Sequence, residues 1–268
     1  MAFQTLVVAR PGRFTGGMTA PAGIDWEWTV RSHGRLSNRQ KLQLVPPLVR
    51  GVLAYPSARL RLATGRCGSA RLDLDALDWP DSKLAREATV EAREVLTSHV
   101  LEHSFRTYLF GLLLAQLSEV TVDRELAFVS CMLHDTQLEH PTPGRCFAVA
   151  GGERAERFAL DHGADPELAA QIGAAIAGHI TPGAAADLSD PAGFVSAGAL
   201  ADITGVGLQD IDPAWVDEVH ARHPRHDLRR HLLGAWRNEG RAMPAGRARW
   251  LTRYGAFPML LRAAPFDQ

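Results

Sequence analysis

The sequence predicts an all-α fold, and three observations carry that expectation. From about Trp79 onward, apolar residues recur at helical spacing in one segment after another. Capping residues and Asp-Pro pairs punctuate those segments. Runs of alternating or β-branched residues that would read as strands are sparse.

Residues 1–75 read as irregular, because they carry Pro21, Pro46, Pro47, Pro56 and many glycines; short helices or strands are expected only around 42–53 and 60–62. Trp26 and Trp28 are expected to anchor this segment on the helical body. Pro80-Asp81 opens a helix through Leu96, with Leu84, Ala85, Ala88, Ala92 and Val95 on its apolar side. The next helix spans 100–117. Leu101, Phe105, Tyr108, Leu109 and Leu112 share one face, and His103, Thr107, Phe110 and Leu114 share the opposite one. A helix apolar on two faces is central, so His103 points into the interior.

Asp123 caps a third helix over 124–135, which is apolar nearly all round; Pro141, Pro143 and Gly144 then turn the chain away just after His134-Asp135. Further helices are expected over 152–162 (stopped by Gly163), from Asp165-Pro166 to 178 or 179, over 194–204, from Asp212-Pro213 to before Pro224, over 227–240 and over 245–254. The expected organisation is an irregular extension over 1–77 and a helical domain over 78–268.

The composition, 46% hydrophobic and 22% charged over 268 residues, is that of a globular protein with enough chain for a sizeable core. A net charge of -1 gives no global field to attract nucleic acid or an acidic membrane. Cys67, Cys131 and Cys146 are odd in number and show no CxxC spacing, which argues against a disulfide framework or a zinc knuckle. The apolar stretches near the N-terminus and over 108–117 are too short for a signal sequence and for a bilayer span, respectively. The expectation is a soluble, cytoplasmic protein with a small-molecule substrate, no nucleic-acid or membrane partner, and homo-oligomerisation left open.

The chemistry concentrates in His134-Asp135. A carboxylate and an imidazole in an apolar wall need a partner, and a divalent metal is an economical one. His103 on a central helix and Asp202 in an apolar helix are the distant residues that could join them. Two nitrogens and two oxygens suit Zn or Fe(II) first, with Mn or Co as further candidates, and the expected metal ligands are His103, His134, Asp135 and Asp202 around one ion. Such a set leaves room for water, the pattern of a catalytic rather than a structural site.

HSFRTYLFG at 103–111, MLHD at 132–135, AIAGH at 175–179 and ALADITG at 199–205 resemble the HD-domain superfamily of metal-dependent hydrolases, most of all its cyanamide hydratase-like branch. The likeness covers about 78–206. It implies an HD-type helical bundle whose metal-binding core is that stretch, with C-terminal helices over 207–268, and it implies the same four ligands. The implied chemistry adds metal-activated water to a small electrophile such as a cyanamide- or nitrile-type carbon. The chain departs from a common pattern after the His-Asp pair. It reads Thr136-Gln137-Leu138, where many phosphohydrolases of the superfamily carry Gly-Lys two and three residues after the Asp.

Asp135, His179 and Arg106 are the candidate catalytic residues: Asp135 and His179 for proton transfer, Arg106 for orienting a substrate or a metal-bound carboxylate. His162 reads as a helix-end histidine, and Glu139 and His140 as loop residues. The His220, His223, His226 and His231 segment, rich in arginine, reads as an exposed basic turn. Three alternatives stay open. One is a nucleotide or phosphate-monoester hydrolase using Arg106 and Arg145. Another is a dinuclear iron site recruiting His162 and His179. The last is a metal-stabilised binding scaffold.

Overall fold

The computed structural model describes residues 21–266, and among these there is no strand, only one isolated bridge between Ala70 and Ile211. The fold is all-α, as the periodicity predicts. Expectations that fall on residues 1–20 lie outside the described residues.

The N-terminal region is mostly helical between residues 26 and 63, whereas 66–81 is irregular as expected. Asp25 caps α1 (Trp26–Ser32) by accepting from Trp28 N at 2.7 Å, and Ser37 and Gln40 form a reciprocal capping box on α2 (Asn38–Gln43). Then α3 runs unbroken over Val45–Ala63, through both places where short elements were expected. Its two prolines at 46 and 47 fall in the first turn, where a missing N–H costs nothing. No residue of α3 is fully buried; it meets the body only through partly buried side chains such as Leu48 and Leu62, so its sequence carries no strong burial pattern. Trp28 is buried in a cluster with Ile24, Leu36, Leu44 and Trp250, and the Trp26 ring lies over Gly152 and Gly173, so both tryptophans do anchor this segment.

The body follows the predicted order with shifted ends: α4 (Lys83–Val95), α5 (Ser98–Leu117), α6 (Arg124–Leu133), α7 (Phe147–Asp161), α8 (Pro166–Gly178) and α9 (Pro191–Thr204). Asp123, Asp165 and Asp190 cap α6, α8 and α9 through backbone N–H groups of the first turn. Pro191 stands at the start of α9, and Phe147 begins α7 five residues before the expected start.

One core joins α4 to α9 through residues such as Ala88, Tyr108, Met132, Ile172 and Phe194. Within it α5 and α9 approach so closely that a Cβ on Gly198 would lie 2.0 Å from Thr107 O. That contact sets the spacing of the two helices that carry His103 and Asp202. The C-terminal helices α11 (Leu228–Ala242), α12 (Arg247–Tyr254) and α13 (Phe257–Arg262) bury Leu232, Trp236 and Leu261 against Phe147, Ile180 and Ile203. The outer side of α5 is closed by Trp215 and Val219 of α10 (Pro213–Arg222). No helix among the described residues is long and apolar enough to cross a membrane.

Candidate metal centre

His103 comes from the second turn of α5, His134 caps the end of α6, Asp135 follows it, and His179 caps the end of α8. All four are buried, His134 at 0% and His103 at 2% exposure. Each histidine is oriented through Nδ1. His134 Nδ1–H donates to Cys131 O at 2.7 Å and His179 Nδ1–H to Ile176 O at 2.6 Å. His103 Nδ1–H donates to Asp202 Oδ2 at 2.6 Å. A carbonyl or carboxylate only accepts, so Nδ1 carries a proton in each ring, and in the neutral rings of His134 and His179 the lone pair is left on Nε2.

Those three Nε2 atoms converge on one carboxylate. They lie 3.4 Å (His134) and 3.9 Å (His103) from Asp135 Oδ2, and 3.8 Å (His179) from Oδ1. Ligand atoms of His103, His134 and Asp135 all fall within 4.8 Å of one another. The His134 and His179 rings meet edge to face at 5.0 Å. Burial lowers the His134 pKa and, aided by His134, lowers that of His179 further, so both rings are neutral at pH 7. Neutral imidazole lone pairs and a carboxylate facing each other are acceptors without a donor. His134 Nε2 is fully buried and has no hydrogen-bond partner. This donor set fits a divalent cation held by His103, His134 and Asp135, with His179 adjacent.

Asp202 does not join that group. Its Oδ1 accepts from Arg106 Nε at 2.8 Å and Arg225 Nη1 at 2.6 Å, and its Oδ2 accepts from His103 Nδ1 at 2.6 Å and Arg106 Nη2 at 3.1 Å. Burial alone would raise its pKa. The Arg106 and Arg225 guanidiniums override that and, with His103, hold the carboxyl well below its usual range. With its lone pairs taken by four donors, Asp202 stands behind His103 as the carboxylate that orients a ligand histidine, correcting the expectation of a direct ligand.

Arg106 is corrected in the same way. It is 0% exposed, and besides Asp202 it donates through Nη1 to His223 O at 2.8 Å and Pro224 O at 2.9 Å. Four of its five N–H donors are engaged by the fold, and the side chain is shut off from solvent. The basic turn is exposed only in part: Arg222, His226 and Arg230 face solvent, while other members of the segment do not. Arg225 is 6% exposed. His220 packs on Phe110 and Phe266, His223 stacks on Phe105 and pairs with Glu102, and His231 pairs with Glu139. The segment from 220 to 231 folds back over the end of α5 that carries His103. Sequence reasoning missed Arg225, and one signal pointed to it: a buried Asp202 needs more positive charge than a single neutral histidine provides.

His162 is not brought to the site. Its Nδ1–H donates to Phe158 O at 2.8 Å and its ring stacks on Phe158. Arg145 forms an ion pair with Glu153. No protein-family model matches this chain, and no curated protein matches it.

Proposed function

We propose that this chain is an HD-type metal-dependent hydratase or hydrolase that adds water to a small electrophile, most naturally a cyanamide- or nitrile-type carbon. The observation that carries this proposal is the convergence of three buried histidine Nε2 atoms on the Asp135 carboxylate, with His134 Nε2 left without any hydrogen-bond partner. His103, His134 and Asp135 would hold one divalent ion, with zinc or Fe(II) best suited to the nitrogen and oxygen donors and Mn or Co as alternatives. A cation bound there supplies Lewis acidity and lowers the pKa of water to about 7.

The chain's own residues supply the rest. Asp202 fixes the ring orientation and tautomer of His103. Cys131 O and Ile176 O do the same for His134 and His179. His179, neutral and 3.8 Å from Asp135 Oδ1, is placed to accept a proton from water and return it to the nitrogen of the product. Phe147, packed edge-on against His179, closes that side to bulk water. Neither cation that a phosphate site would have drawn on is free, since Arg106 is bound to Asp202 and Arg145 to Glu153. That favours a neutral carbon electrophile over phosphorus.

The test is metal analysis of the purified protein coupled to turnover assays with cyanamide, simple nitriles and phosphate esters. Urea or amide formation without phosphate release is expected. His134→Ala and Asp135→Ala should each abolish both metal content and turnover. Retained activity with full metal loading in either variant would overturn the proposal.

A further inference from the structure

Among the described residues three arginines are buried: Arg106, Arg225 and Arg247. The first two share Asp202. Arg247, at 0% exposure, forms no ion pair with any described carboxylate. Its Nη1 donates to the Thr181 hydroxyl at 2.7 Å and its Nη2 reaches Cys146 Sγ at 3.6 Å, a weak acceptor. Its Nε–H is buried and has no partner. The guanidinium stands over the Trp28 ring at 5.8 Å.

Across from it is Glu239, also 0% exposed. Glu239 Oε1 accepts from Phe147 N at 3.1 Å, and Oε2 is buried without a partner. Burial pushes its carboxyl up to about 7, opposed by Phe147 N–H and by Arg247. Glu239 therefore carries only part of a negative charge at neutral pH, and it does not touch the guanidinium. A whole buried positive charge and two orphaned polar atoms are left in one place, an arrangement that is strongly unfavourable unless something completes it.

That place adjoins the candidate metal centre. Thr181 is two residues beyond His179, Phe147 contacts the His179 ring at 5.9 Å, and Arg247 contributes to lowering the His179 pKa. We propose that Arg247, Thr181 and Glu239 form a binding site for a small monocarboxylate beside His179. A carboxylate accepts from the Arg247 fork through one oxygen and from the Glu239 carboxyl through the other, and it cancels the single unpaired charge. A water molecule could satisfy the same orphaned atoms but brings no charge. A phosphate dianion would bring one negative charge more than the site can neutralise.

Binding of acetate tests this without turnover, in thermal unfolding and calorimetry against chloride at matched ionic strength. Wild type and His134→Ala should both show saturable binding of acetate, tighter than that of inorganic phosphate. Arg247→Met, which replaces an unpaired buried charge with an apolar side chain of similar length, should fold and bind acetate at least tenfold more weakly. Arg247→Lys keeps the charge, loses the planar fork, and should bind at least threefold more weakly; it decides the matter if the Met variant does not fold. No saturable effect on wild type would overturn the proposal. So would unchanged binding in the decisive Arg247 variant, loss in His134→Ala with retention in Arg247→Met, or preference for phosphate. A protein that binds acetate through Arg247 but neither holds metal nor turns over nitriles would refute the hydratase proposal and leave this one standing.

Discussion

His103 Nδ1 lies 2.6 Å from Asp202 Oδ2, and this contact decides which ring nitrogen His103 turns toward Asp135. The same carboxylate neutralises Arg106 and Arg225, so it has two jobs that a substitution separates. Asp202→Asn keeps an acceptor for His103 but leaves two buried guanidiniums without an anion. Its stability in urea should fall by about 3–5 kcal/mol, as when one partner of a buried ion pair is removed. Metal affinity, measured by competition with a chelator, should fall roughly 10–100-fold because the orienting partner is weaker. Unchanged metal affinity would show that His103 does not depend on Asp202.

Arg106 ties three strands of chain together: α5, which carries it, Asp202 on α9, and the carbonyls of His223 and Pro224. A lysine cannot reproduce that fork. Arg106→Lys should therefore lower stability by roughly 3 kcal/mol while turnover per folded molecule changes less than about tenfold. Denaturation curves and active-fraction-corrected kcat separate the two effects. A collapse of kcat with stability intact would instead put Arg106 at the reacting atoms.

The parts of this site legible in the sequence are those set by local periodicity. Apolar residues on both faces of the second predicted helix place His103 in the interior, and the all-round apolar α6 delivers His134 and Asp135 into a wall. Asp202 was legible as buried, but not as engaged on every side, because its partners come from a segment whose burial is a tertiary matter. Arg225 sits among His223, His226, Asp227 and Arg229, and local composition there reads as solvated; only the docking of that segment on α5 and α9 buries it. The helix over 45–63 was hidden for a different reason. It fully buries no residue, and its three prolines read as breaks although two of them suit a first turn.

The His220 imidazole is held down to about 4, first by burial, with Arg225 and Arg106 adding to it against the pull of Asp202. Below pH 6.5 the unfolded chain takes up a proton that folded His220 refuses. Its contribution to stability is therefore complete above about pH 6.5 and declines as pH falls toward 4. Each unit is worth about 1.4 kcal/mol, so the full shift is worth at most about 3.5 kcal/mol. His220→Leu keeps an apolar contact with Phe110 and Phe266 and removes this titration. The slope of urea stability against pH over that window should drop by up to one proton relative to wild type. Identical slopes would show that His220 is protonated in the folded protein.

Gly198 sits one turn before Asp202, and a methyl there would fall 2.0 Å from Thr107 O and 3.1 Å from Gly111 N. These are backbone atoms of α5, which cannot swing aside as a side chain would. Gly198→Ala should push α9 away from α5 and cost about 1–3 kcal/mol of stability. The same displacement draws Asp202 off His103, so metal affinity should fall together with stability even though no ligand has changed. Gly234→Ala is the matched control, because a methyl there meets nothing within 4 Å. In the middle of α11 it should be neutral or stabilising by about 0.5–1 kcal/mol through helix propensity alone. If Gly198→Ala lowered stability but left metal affinity at the wild-type value, the spacing of α5 and α9 would not be what positions His103.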